Sequence, residues 1–265
     1  MEYIEKSEYE RLLNIASNVG PLFLIGSVAG TLLGNLALGY ILLIGNYSSL
    51  IFIGFITKKK RTPIKVSSLS RPKYEIINFG SAIKNAVQNG INTALSIGGF
   101  IVIFSVLITL IKNNVYFYIM FEQLENFFSL PVGTLYFLFL GSIEMTNGCS
   151  LISTLSLPLP LKLSMISFLC SFSGLAVIAQ VSSFVSDTKI HYSKYIFLKL
   201  IQGIFSFIIT YILLQILPTS IYTSNLGINS SMSEYTHFYP MLVLFLLTFL
   251  LYILNKASKL FFHAT

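Results

Sequence analysis

An all-α polytopic membrane protein is what these 265 residues predict, with about six transmembrane helices, broken helices among them, one re-entrant hairpin and an inverted repeat. Three observations lead there. The chain is 54% hydrophobic and only 10% charged, with a mean hydropathy of +0.77, whereas soluble domains carry about 25% charged residues. Its apolar runs are long and do not alternate, which excludes an outer-membrane barrel. Two of those runs are interrupted, at Ser17-Asn-Val-Gly-Pro21 and along Ser171-Phe-Ser-Gly-Leu-Ala-Val-Ile-Ala-Gln180. A helix broken inside hydrocarbon loses backbone hydrogen bonds that lipid cannot replace, so it persists only where protein or a watery cavity surrounds it. Paired breaks in corresponding segments point to a transported solute.

The elements follow in order. About 20 apolar residues cross the hydrocarbon, and six segments qualify: 9–33, interrupted at Gly20-Pro21; 37–57, ending at the block Lys58–Arg61; 91–112; 162–187, interrupted at Ser171–Gly174; 192–217; and 237–255. The amphipathic stretch Ser81 to Asn89 suits the membrane interface. So does the aromatic segment 114–128, which carries Glu122 and Glu125. Residues 131–157 form two arms around Ser142–Gly148, each too short to span, which predicts a hairpin that enters and leaves by one face.

Charge sets the orientation. The loop 58–78 holds Lys58, Lys59, Lys60, Arg61, Lys65, Arg71 and Lys73; Lys189 and Lys194 follow the fourth span, Lys256 and Lys259 lie in the tail, and 218–235 has neither Lys nor Arg. Both termini inside, with the hairpin entering from outside, satisfies all four facts. The net charge of +7 is thus a matter of basic loops, and nucleic acid is excluded as a partner. Cys149 and Cys170 read as buried thiols. There is no disulfide framework and no metal-ligand spacing, no cofactor is implied, and the polar, Glu-containing start does not resemble a cleavable signal.

The repeat pairs Gly20-Pro-Leu-Phe-Leu-Ile-Gly-Ser-Val28 with Gly174-Leu-Ala-Val-Ile-Ala-Gln-Val-Ser182. Polar residues precede each Gly (Ser17 and Asn18; Ser171 and Ser173), and each broken span leads into an unbroken one. On the topology above, the copies start on opposite sides, the inverted repeat of many secondary transporters. The second copy is preceded by the hairpin; the first begins almost at Met1. A fragment, a misassigned start and a shortened relative are the open explanations.

The segments Gly20-Pro-Leu-Phe23, Leu33-Gly-Asn-Leu-Ala-Leu-Gly39, Ile97-Gly-Gly-Phe-Ile-Val-Ile-Phe-Ser-Val-Leu107, Glu144-Met-Thr-Asn-Gly148 and Ser173-Gly-Leu-Ala-Val-Ile-Ala-Gln-Val181 carry a resemblance. In order and spacing, from about Ser7 to Leu217, the chain resembles the YlbJ family of sporulation integral membrane proteins, within the wider group of nucleoside-recognition or gate-domain membrane proteins. It departs where the family usually has Pro (Leu36) or often His (Asn46 and Ile178), and it lacks the family's earlier hairpin. The resemblance implies a role in endospore formation and passage of dipicolinic acid across the outer forespore membrane. It also frames the domains: 1–57, a partial first gate repeat; 58–90, a basic loop and interfacial helix; 91–128, connecting helices; 129–217, the second gate repeat with its hairpin; and 218–265, a C-terminal span.

The breaks suit an anion. A half-helix begins with free N–H groups and the positive end of its dipole, and Pro21 fits its first turn. Ser17, Asn18, Gly20, Ser171, Ser173 and Gly174 are therefore candidate substrate-binding residues, joined by Thr146 and Asn147 on the second hairpin arm. With no Lys or Arg expected near the breaks, converging helix ends alone would neutralise a dianion. Glu144 has two readings: a coupling site for a proton or cation, or a mere cap on a hairpin tip that reaches solvent. Gln180 faces substrate or bridges helices, and Asn46 suits a helix contact better than a pathway.

Three function classes compete. The first is a conduit for a small anion, with a nucleoside-like solute as a variant. The second is a non-transporting subunit or scaffold, acting as a homo-oligomer or with a missing membrane subunit. The third, an intramembrane enzyme, ranks last, for want of paired acids, a His-rich spacing or a Gly-x-Ser-x-Gly elbow.

Overall fold

The computed structural model describes residues 6–58, 78–185 and 191–217, which are helical and contain no strand. The basic loop beyond Lys58, Lys189, the span 237–255 and the tail lie outside the described residues.

Helix α1 (Lys6–Ala16) stops at Ser17, and after the Gly20-Pro21 step the chain winds into a π-helix, Phe23–Leu32. A π-helix of 10 residues is unusual, since π geometry mostly occurs as single-turn bulges at functional sites. Gly34, with φ +67°, ends it, and Asn35 caps α2 (Leu36–Ile56) by accepting from the Ala37 N–H at 2.9 Å.

Helix α3 (Phe79–Lys112) runs 34 residues without a break, so Ser81–Asn89 forms its first turns and not a separate interfacial helix. The boundary expected at residue 90 therefore falls inside a helix. No Pro lies in the stretch, and Asn78 caps it through the Gly80 N–H; with both, helix propensity carries through the polar section. Helix α4 (Val115–Phe127) packs its aromatic face on α5 (Thr134–Ile143), where Tyr118 meets Tyr136 edge-on at 5.8 Å and Phe121 meets Phe139 at 4.9 Å.

The two arms expected in 131–157 are α5 and α6 (Met145–Thr154), separated by Glu144 alone. They cross at Gly141 and Gly148: a Cβ on Gly148 would lie 2.1 Å from the Gly141 Cα. The expected span 162–187 is α7 (Leu159–Phe172) and α8 (Gly174–Phe184), broken at Ser173, where φ is +72°, and Gly174, where φ is +73°. Helix α9 (Tyr192–Ile216) is continuous.

Four described segments are long and apolar enough to cross a membrane: Leu36–Ile56, Phe79–Lys112, Leu159–Phe184 and Tyr192–Ile216. The protein is a multi-pass, all-α membrane protein. Its centre is the trio α2, α7 and α9, with the π-helix against α2 and the hairpin against α7. In the first half the segment after the break packs on the next unbroken helix; in the second half the segment before the break does so. Cys149 and Cys170 are free, buried thiols whose sulfurs lie 3.8 Å apart.

Candidate functional site

The first break gathers polar groups from α1 and α9. The Ser17 hydroxyl donates to the Leu13 carbonyl at 2.7 Å and lies 2.8 Å from the Tyr195 hydroxyl. The Asn18 amide nitrogen donates back to the Ile15 carbonyl at 2.7 Å, which turns its oxygen toward α9. Two donors converge on that oxygen: Lys199 Nζ at 3.1 Å and Gln202 Nε2 at 2.7 Å. Lys199 also donates to the Ser17 carbonyl and to Gln202 Oε1, at 3.3 Å in the latter case. It is 0% exposed. The expectation that no Lys or Arg stands near the breaks is therefore overturned: a lysine two turns into α9 reaches the first one. Gly20 is exposed at the rim of this cluster.

The second break sits on the hairpin tip. A Cβ on Gly174 would be 3.2 Å from the Met145 nitrogen and 3.4 Å from the Gly141 and Ile143 carbonyls, so only glycine suits both the space and the positive φ. Ser173 is buried, with its hydroxyl 3.5 Å from the Cys170 carbonyl and no capping bond to α8.

At the tip itself, Glu144 is 2% exposed and spends both oxygens on α6, accepting from the Thr146 N–H at 2.9 Å and the Asn147 N–H at 2.8 Å. The bonds are those of a cap, but the protein covers Glu144, so the solvent-reaching tip that accompanied the capping reading is not what the fold shows. The Thr146 and Asn147 backbone amides are thus already occupied and do not offer themselves to a solute, while the Asn147 side chain donates to Ser105 on α3 at 3.0 Å. Glu125 does the same for the other arm. It is 1% exposed and accepts from Gly133 N at 2.7 Å, Leu135 N at 2.7 Å and Tyr136 N at 3.0 Å. Glu125, which the sequence places in a segment suited to the interface, is therefore an internal cap of α5.

Ser171 faces neither break. Its hydroxyl donates to Asn46 Oδ1 at 2.6 Å, and Ser167, Ser206 and Thr210 extend that contact through the α2–α7–α9 core. Asn46 is thus a helix–helix contact, as expected. Gln180 is half-buried, more than a turn past the break, and its carbonyl accepts from Ser183 at 2.8 Å. The expected residues therefore fall into four groups: Ser17, Asn18 and Gly20 at the first break; Glu144, Thr146, Asn147, Ser173 and Gly174 at the second; Ser171 in the core; and Gln180 farther along α8. Tyr195 stands between the breaks, bonded to Ser17 and packed with Phe172.

Lys199, Gln202, Tyr195 and Glu125 are not among the expected site residues. For three of them a signal exists: Tyr195, Lys199, Gln202, Ser206 and Thr210 recur every three or four residues along α9 and form one buried polar face. Glu125 has no such signal, because its partners lie eight to eleven residues on, in the next helix.

The chemical outcome is a contrast among four short helices. The two hairpin arms have their amide ends neutralised by glutamates. The helical stretch that becomes the π-helix starts at Gly20-Pro21, where the Gly20 carbonyl accepts from the Phe23 and Leu24 N–H groups and no carboxylate is present, and α8 starts from a Ser173 that does not cap it. Among the described residues, no group of His, Cys, Asp and Glu could hold a metal ion.

Over 238 residues the chain is 27% identical to the sporulation integral membrane protein YlbJ of Bacillus subtilis (strain 168), a match covering 82% of this chain. It spans 58% of that protein's length. No protein-family model matches the chain, and no solved structure does.

Proposed function

We propose that this chain, a member of the YlbJ family of sporulation integral membrane proteins, moves a small carboxylate anion, dipicolinic acid, across the outer forespore membrane. A role in a sporulating cell's membrane follows from the family and from the apolar helices. The carboxylate is supported by one observation above the others: two membrane half-helices begin with carboxylates on their amides, and two others, at the breaks, begin without them. Half-helix N-termini bind anions through N–H groups and a dipole worth roughly half a unit charge. Glu125 and Glu144 are working examples of that chemistry within the same fold. A carrier, and not an enzyme, is the reading this favours.

Deleting the gene and assaying dipicolinate in the resulting spores tests the proposal. A large loss of spore dipicolinate is expected, with the compound retained in the mother cell. Normal spore content would remove the substrate and the membrane together.

A further inference from the structure

We infer that Lys199, Gln202 and Asn18 form a carboxylate-binding point at the first break, in which the Asn18 amide oxygen holds the place that an oxygen of the solute takes. The inference rests on the anion-carrier reading and assigns that carrier the side chains that meet the solute's carboxylate.

Lys199 lies on a membrane-crossing helix and is fully buried. Charged groups in that position are costly, and they either pair or line a solute path. Among the described residues the ion pairs are Arg11 with Glu8 and Lys194 with Glu10, and Lys199 belongs to neither. Its three acceptors are all neutral: the Ser17 carbonyl, Asn18 Oδ1 and Gln202 Oε1. They accept the amine's hydrogens and bring no negative charge to it. The end of α1, whose Ser17 carbonyl accepts from Lys199, offers only the partial negative charge of a helix C-terminus.

The donor geometry states what would fit. Lys199 Nζ and Gln202 Nε2 converge on a single oxygen, Asn18 Oδ1. A carboxylate oxygen entering there receives two hydrogen bonds and the counter-charge at once, and charge-assisted bonds of this kind are about twice as strong as neutral ones. Asn18 is half-buried, and its neighbours Gly20, Pro21 and Leu22 are not covered by protein. A purely structural role is the alternative: Lys199 would cap the last carbonyls of α1 and do no more.

Two variants separate these roles. Asn18→Asp places a carboxylate of the protein itself on Lys199; Lys199→Gln removes the charge. Purified protein in lipid vesicles is titrated with dipicolinate and with its uncharged diamide, and melting temperatures are recorded alongside. Wild type is expected to prefer dipicolinate over the diamide by about tenfold or more, equivalent to about 1.4 kcal/mol. Asn18→Asp should lose that preference while melting at or above the wild-type temperature, because its internal ion pair now occupies the site. Lys199→Gln should lose it too. If Lys199→Gln does not accumulate in membranes, Asn18→Asp alone decides. Wild-type binding of dipicolinate that Asn18→Asp leaves unchanged overturns this inference and spares the carrier reading. Wild type that binds neither compound overturns both.

Discussion

The two breaks share a sequence pattern and differ in what surrounds them. At the first, the open backbone faces a buried lysine, a glutamine and a tyrosine, all from α9. At the second it rests on the backbone of the hairpin tip, close enough that a side chain on Gly174 would be tight as well as strained, and the acid nearby is already committed to capping α6. The lesson is that a polar interruption in a membrane helix does not announce its own chemistry. One break is a side-chain site; the other is a packing joint with a free helix end.

The strongest way to break the contrast is to attack the joint. Gly148→Leu forces a side chain into the Gly141 crossing and should cost about 3 kcal/mol, the upper end for overpacking, read as a lower melting temperature of the solubilised protein. A stability like that of wild type would mean that the hairpin does not support the second break. Next comes Glu144→Ala, which strips the bonds from the Thr146 and Asn147 amides. It should cost about 2 kcal/mol, the penalty for buried groups left unbonded, with faster hydrogen exchange at those two amides as the local check. Gly174→Ala follows at about 1.5 kcal/mol, from a positive φ that an L side chain resists. A loss confined to thermal stability, with Asn18-dependent binding intact, would sharpen the separation between the two breaks. Ser171→Ala should be the mildest, at roughly 0.6 kcal/mol; a large loss of dipicolinate binding there would return Ser171 to the solute path.

Both breaks were legible because Ser, Gly and Pro interrupt the chain beside apolar runs, although the segment before the first break, with Glu10, Arg11 and Asn14, is itself polar and is not among the described segments apolar enough to cross. The hairpin was legible by length. What surrounds the breaks was not. Lys199 lies near the basic end of its helix, where a lysine ordinarily stretches its stem toward the headgroups, and only the fold shows it turned inward. Glu125 hides in an aromatic stretch that suits the interface, and its partners belong to another helix. The length of α3 was masked by its own amphipathicity: polar turns followed by apolar ones read as two elements when no Gly-Pro or Asn-Pro step marks a corner.

That unbroken length has a geometric consequence. At 1.5 Å per residue, α3 is about 51 Å long, against about 30 Å of hydrocarbon. Membrane helices lean by up to about 40°, and a rod of this size leaning that far still rises about 39 Å. No ordinary tilt submerges it. One end must emerge, and the Lys84, Asn85, Gln88, Asn89 and Asn92 section is the end chemically suited to do so, a stalk above the lipid from which the chain descends into its own apolar turns.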